Sequence, residues 1–237
     1  MKITFGTLYL IPTTLGTTQI PDVLPQKVRE IIMICNHFIV ENEKTARHFI
    51  KKICPEKMQS QLQLFLLNKH TSVQEFATFL QPCLEGFSMG IISEVGCPAI
   101  ADPGADIVAL AHQKHIKVEP LVGPSSIILA LMASGLNGQN FAFNGYLPID
   151  KNERKMVLKK LEQKARGENQ AQLFIETPYR NDKLLQDMLH FLPNEMKICV
   201  ATDITLPTEF IKTQKISEWK NEKIELHKRP TIFIIGY

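Results

Sequence analysis

The sequence predicts an α/β protein in two parts, a mostly parallel sheet over residues 1–121 and a mixed sheet over 122–237. Three observations predict this. Short apolar runs alternate with helical stripes through the first half. Three of those runs empty into glycine- and proline-bearing loops, where ligands sit in open α/β sheets. After Phe141 the strands crowd together, with little helix between the last two.

In chain order, Gly6 to Ile11 (GTLYLI) is rich in strand formers and ends at Pro12, before the small-residue loop Thr13, Thr14, Leu15, Gly16, Thr17, Thr18. Val28, Ile31, Ile32 and Cys35 follow a helical stripe, and His37 to Val40 is a short strand. Glu41 to Ile53 predicts a helix with Ala46, Phe49, Ile50 and Ile53 on one face and Lys44, Arg47 and Lys51 on another. Such a basic face is either solvated or in contact with phosphate. A strand over Gln61 to Leu67 and a helix over Ser72 to Leu84 follow.

The stretch Ile91 to Gly104 (IISEVGCPAIADPG) begins as a buried strand and breaks into a loop. Gly96 and Gly104 permit close backbone approach, Pro98 and Pro103 stiffen the path, and Glu94 and Asp102 offer carboxylates to ribose hydroxyls. The alternative is an ordinary connection in which Asp102 caps the next helix. That helix spans Ala105 to Lys114, and the strand Lys117 to Val122 ends at Gly123, Pro124, Ser125 and Ser126. The two serines sit at the start of a helix from Ile127 to Ala133, as caps or as partners of a carboxylate or ribose oxygen. In the second half, FAFNGYLP is a strand and turn, Asp150 to Arg166 a charged helix, and Gln172 to Ile175 a strand ending in Glu176, Thr177, Pro178, Tyr179, Arg180. A helix to Phe191 precedes strands at Lys197 to Thr202, Phe210 to Thr213 and Thr231 to Gly236.

With 44% hydrophobic and 22% charged residues the chain has the composition of a soluble globular protein. A net charge of +3 permits a nucleic-acid partner without demanding one. Cys35, Cys54, Cys83, Cys97 and Cys199 form no C-x-x-C pair, so neither a zinc site nor a disulfide framework is expected, and a reducing cytoplasm fits. No apolar run approaches the ~18 residues of a membrane span, and MKITFGTLYLIPTTLG reads as a first strand, with no clear cleavage site.

The ordered set PTTLG, ISEVGCPAIADPG, PLVGPSS, FNGYLP and IETPYR resembles the tetrapyrrole methylase family, and most closely its branch that 2′-O-methylates a ribose of small-subunit ribosomal RNA. That resemblance implies two α/β/α domains with S-adenosylmethionine in the cleft between them, and a homodimer; the donor already carries the positive charge that drives methyl transfer, so no metal is expected. It places cofactor contacts at Leu10, Pro12, Glu94, Gly96, Cys97, Ser125, Ser126, Ile127, Thr177, Ala201 and Thr231. The chain departs from the branch pattern in four places. Asn42 replaces an aspartate, Glu94 replaces another, Thr202 to Thr205 lacks an arginine, and Arg229-Pro230 stands where Gly-Glu is usual.

An alcohol is a poor nucleophile near neutral pH, so a base is expected beside the acceptor. Glu41 or Asp102 is the candidate catalytic carboxylate, and Lys44, Arg47 and Arg180 are candidates for holding a phosphate of the RNA or ribosomal-subunit substrate. The alternatives are a surface Glu41–Arg47 pair with Arg180 supporting the second domain, a tetrapyrrole or other small-molecule acceptor, and a homologue that binds the cofactor without turnover.

Overall fold

Strands β1 (Thr7–Ile11), β2 (His37–Val40), β3 (Gln63–Leu66), β4 (Met89–Ile92) and β5 (Lys117–Pro120) pair in parallel in the order β3-β2-β4-β1-β5. They belong to the first of two compact units in this computed structural model, Met1–Ser125 and Ser126–Tyr237, of which residues 4–67, 71 and 73–237 are described. The division thus falls inside the PLVGPSS stretch.

Side chains alternate across the first sheet, as the strand period of two requires. Phe38 and Val40 pack with Val28, Ile32 and Ile50 on one face, against helices α1 (Ile20–Val23), α2 (Gln26–Ile34) and α3 (Glu43–Ile53). Ile39, Leu8 and Met89 pack on the other with Leu80 and Ile107, against α4 (Val73–Phe79), α5 (Gln81–Leu84) and α6 (Gly104–Gln113). All four residues of β4 are buried, as expected of a central parallel strand. The single helix expected over Ser72 to Leu84 is two, parted at Leu80, because Pro82 has no N–H to donate and fits only a first helical turn; Ser72 itself lies outside the described residues. Likewise α3 starts at Glu43, since Asn42 is its cap and Glu41 lies in the bend between β2 and that cap.

The second unit runs α7 (Ser126–Ser134), β6 (Phe141–Tyr146), α8 (Lys151–Gly167), β7 (Ala171–Ile175), α9 (Asn181–Phe191), β8 (Lys197–Thr202), β9 (Phe210–Lys215), α10 (Ile216–Trp219) and β10 (Thr231–Gly236). Its sheet order is β6-β7-β10-β8-β9; β6 and β7 are parallel and the other pairs antiparallel. The mixed sheet expected of this half is therefore present, centred on a β10 whose six residues are all buried. Phe174 and Phe233 stack at 6.2 Å in its core, and the Trp219 indole donates to the Ile198 carbonyl at 2.9 Å. Most cations of α8 are solvated, but Arg154 is buried and paired with Asp187 on α9, with its remaining donors on the Pro148 and Ile149 carbonyls. A buried guanidinium is tolerated only when satisfied in this way. Among the described residues no helix is long and apolar enough to cross a membrane.

Candidate active site

At the carboxyl edge of the first sheet the loops after β1, β4 and β5 are tied into one wall. The Gly96 carbonyl accepts from the Thr13 N–H at 2.9 Å and the Ser93 hydroxyl at 3.0 Å. Gly96 has φ +72°, and a Cβ there would lie 3.0 Å from Leu15 and 3.1 Å from the Pro124 carbonyl. Gly123 is packed harder, with room for a Cβ only 2.3 Å from the Pro12 ring. The Cys97 thiol points at the Pro124 carbonyl, 3.4 Å away, and Leu121 N–H bonds to the Leu10 carbonyl at 3.0 Å. Leu10, Pro12, Glu94, Gly96, Cys97 and Ser125 thus lie on the loops at one edge of the first unit.

Asp102 is committed to its own loop. Its carboxylate accepts the Ala99 N–H through both oxygens (2.9 and 3.0 Å) and the Gly104 N–H at 2.8 Å. These bonds hold a segment in which Ala99 and Ala101 adopt left-handed φ values of 66° and 62°. Burial pushes the Asp102 carboxyl up, and the two backbone donors oppose that rise. A carboxylate so occupied organises a loop better than it takes a proton from an acceptor.

Glu41 is differently placed. It follows β2 and accepts the Glu94 N–H at 3.2 Å. Burial raises its pKa above the ordinary carboxylate value, the Glu94 N–H opposes this, and the nearby Asp102 and Glu94 carboxylates raise it further. Asn42 accepts from the backbone of Lys44 at 2.9 Å and of Thr45 at 3.3 Å, a cap in which asparagine and aspartate are interchangeable. The departure at Asn42 therefore leaves the helix start intact. The longer Glu94 side chain reaches the Thr45 hydroxyl on α3. Lys44 is exposed on the first turn of α3. Arg47 turns to the Gln59 carbonyl at 2.9 Å and to Glu43 at 4.0 Å, so Glu41 and Arg47 do not pair.

In the second unit, Thr177, Ala201 and Thr231 gather at one end of the mixed sheet, where Ile232 pairs with both Ile175 and Ala201. Thr231 and Thr202 hydroxyls meet at 3.0 Å. Arg180 donates twice to Glu176, at 2.7 and 2.8 Å. Burial alone would push the Glu176 carboxyl up, but Arg180 and the Thr177 N–H hold it below the usual range. Ser126 and Ile127 open α7. Two further departures answer each other: the Arg229 guanidinium bonds to Asp203 at 2.7 Å and to the Thr208 carbonyl at 2.7 Å.

Sequence reasoning missed a pocket of about 280 Å³ in the first unit, lined by the β1 loop, the end of β4 and α3. The α3 residues that line it include Thr45, His48, Phe49 and Lys52, a helical i, i+3, i+4, i+7 stripe. The signal was present one residue away from the Lys44–Arg47–Lys51 face singled out from the sequence. Among the described residues no group of three or more His, Cys, Asp or Glu is placed to hold a metal ion.

The family model described as Tetrapyrrole (Corrin/Porphyrin) Methylases matches residues 7–220. A protein of Vibrio cholerae named ribosomal RNA small subunit methyltransferase I is 31% identical over 97% of this chain and 77% of its own length. The protein of the same name from Escherichia coli O157:H7 is 28% identical, with the same coverage. Among solved structures, the methyltransferase CobJ superposes with a TM-score of 0.64 at 17% identity, over 98% of this chain and 94% of that one. Cobalt precorrin-4 methyltransferase, a cobalamin biosynthetic enzyme, gives 0.60 at 14% identity, over 97% and 94%. These likenesses carry the fold, and with the family match over the strands and loops just described, they show that the chain belongs to the tetrapyrrole methylase family of methyltransferases.

Proposed function

We propose that the chain transfers a methyl group from S-adenosylmethionine to a ribose 2′-hydroxyl of small-subunit ribosomal RNA. The observation that carries the chemistry is Glu41, a partly buried carboxylate of raised pKa held by the Glu94 N–H beside the Gly96 loop. The names of the relatives support the RNA acceptor. The same family resemblance supports a homodimer working in the cytoplasm.

The first unit fits a cofactor bound through backbone. Its loops after β1 and β4 are bonded through the Gly96 carbonyl, the Cys97 thiol reaches the Pro124 carbonyl of the loop after β5, and there is no room for side chains at Gly96 and Gly123. Leu10, Pro12, Glu94, Gly96, Cys97 and Ser125 would hold the cofactor there; Ser126, Ile127, Thr177, Ala201 and Thr231 are the second unit's residues for the same role. S-adenosylmethionine supplies an activated methyl group. The chain's own residues align the acceptor and exclude water. Glu41 takes the hydroxyl proton, its raised pKa making it a better base than a free carboxylate. Asp102 keeps the loop in shape, while Lys44, Arg47 and Arg180 offer positive charge to phosphate, the last two while engaged with Gln59 and Glu176.

Transfer of tritiated methyl groups from S-adenosylmethionine tests the proposal on small ribosomal subunits, naked ribosomal RNA and porphyrinogens. Label in RNA that resists alkaline hydrolysis at the modified position is expected. Label in the porphyrinogen alone sinks the RNA acceptor, and cofactor binding without transfer to any acceptor sinks catalysis.

A further inference from the structure

The pocket beside α3 has the ingredients of a nucleotide site, and none of its α3 side chains has a part in the chemistry assigned to Glu41. Thr13 lines it and is only 5% exposed, yet its hydroxyl has no hydrogen-bond partner. A buried hydroxyl left unpaired costs stability unless a ligand satisfies it. The hydroxyl of Thr45 and the carboxylate of Glu94, bonded to each other, add a donor-acceptor pair to the same wall. Phe49 gives an apolar, half-buried ring. His48 and Lys52 stand exposed on the rim, and among the described residues neither forms an ion pair.

The geometry points to a subsite for one unstacked nucleotide of the RNA substrate, with its phosphate on Lys52 and His48, its base against Phe49 and its sugar hydroxyl toward Thr13 and the Thr45–Glu94 pair. This rests on the RNA reading above and adds to it the residues that select an RNA strand. A volume of about 280 Å³ suits a nucleoside and is small for a tetrapyrrole macrocycle. Aromatic stacking with cationic neighbours is how single-stranded nucleic acid is held without sequence preference. An extruded nucleotide, held by stacking and hydrogen bonds in a pocket, is how enzymes reach atoms that a helix conceals. A 2′-hydroxyl seated against Thr13 would let the site distinguish RNA from DNA.

The test is Lys52→Glu, with Lys52→Arg as the rescue and Thr13→Val for the hydroxyl. KM for small-subunit RNA is measured at several salt concentrations, and S-adenosylmethionine affinity by calorimetry. Lys52→Glu is expected to raise the RNA KM at least about tenfold and to flatten its salt dependence by roughly one counterion. Cofactor affinity stays within about twofold and Lys52→Arg restores the wild-type slope. Thr13→Val is expected to weaken saturation-transfer signals from ribonucleoside 5′-monophosphates more than those from their 2′-deoxy counterparts. If the RNA KM and salt slope are unchanged in Lys52→Glu while the wild type methylates RNA, the subsite is wrong and the function stands. A parallel loss of cofactor affinity in Lys52→Glu would give the pocket to the cofactor instead. If the wild type transfers nothing to RNA, the function and the subsite fall together.

Discussion

The Glu41 carboxylate and the Glu94 backbone N–H meet at 3.2 Å across neighbouring parallel strands, just beyond the point where Val40 pairs with Ile92. The bond fixes Glu41, whereas Asp102 is bound by several backbone donors and Glu94 is turned to a side-chain hydroxyl. A glutamine at 41 can still accept that N–H, so Glu41→Gln removes the base and keeps the geometry. Turnover on RNA should fall by about 10²–10⁴-fold with cofactor affinity unchanged.

Glu41 also carries a pH signature. Its folded-state pKa is raised, so ionisation costs stability, and its contribution to stability is full below the unfolded pKa and lost as pH rises through the folded one. The variant should therefore melt no lower than wild type at pH 7. Wild-type kcat should rise with pH through an apparent pKa above the ordinary carboxylate range, an acid limb missing from the variant's residual rate. A variant that melts several degrees lower would show that the carboxylate is structural.

Gly96→Val places a β-branched side chain at φ +72° with its Cβ against Leu15 and the Pro124 carbonyl. The left-handed conformation alone costs about 1–2 kcal/mol. Displacement of the loop should raise the S-adenosylmethionine Kd at least about tenfold, as titration calorimetry would report. Unaltered affinity would remove this loop from the cofactor site.

Asp203 and Arg229, two residues that stand in segments departing from the branch pattern, are bonded at 2.7 Å. Their alanine variants should not be additive. A double-mutant cycle by urea denaturation is expected to give a coupling of about 0.5–3 kcal/mol, and additivity would show the pair to be a surface accident.

Glu176 behaves in the opposite sense to Glu41. Arg180 and the Thr177 N–H hold its folded-state pKa below the unfolded value, so it contributes stability above the unfolded pKa that is lost as pH falls through the folded one. Glu176→Gln should melt below wild type at pH 7 and converge with it on acidification, measured by thermal denaturation across pH 2–7 at constant ionic strength (about 0.1 M).

Strands were the most legible part of the chain. His37–Val40, Lys197–Thr202 and Thr231–Gly236 fall where their apolar runs begin and end, because a strand's limits follow burial. Helix starts were less so, since Glu41 shares the polar pattern of α3 but lies before the Asn42 cap. The loops at Pro12, Gly96 and Ser125 announced themselves through residues that only a tight path requires. The pocket did not, because Thr13 and Lys52 come to line it through strand order, and no local pattern records that β1 and β2 are separated by β4. The role of Asp102 was equally hidden: its three hydrogen bonds depend on the left-handed turns at Ala99 and Ala101, unusual for alanine.

The position of β10 in the middle of the second sheet sets an order of events during synthesis. The first sheet has all its strands once Pro120 has been made. The second cannot join β7 to β8 until Thr231–Gly236 emerges, so β6 and β7 wait beside an open edge while the rest of the unit is translated. A nascent chain halted between these points carries a finished first unit and an unprotected strand edge, the species most exposed to aggregation.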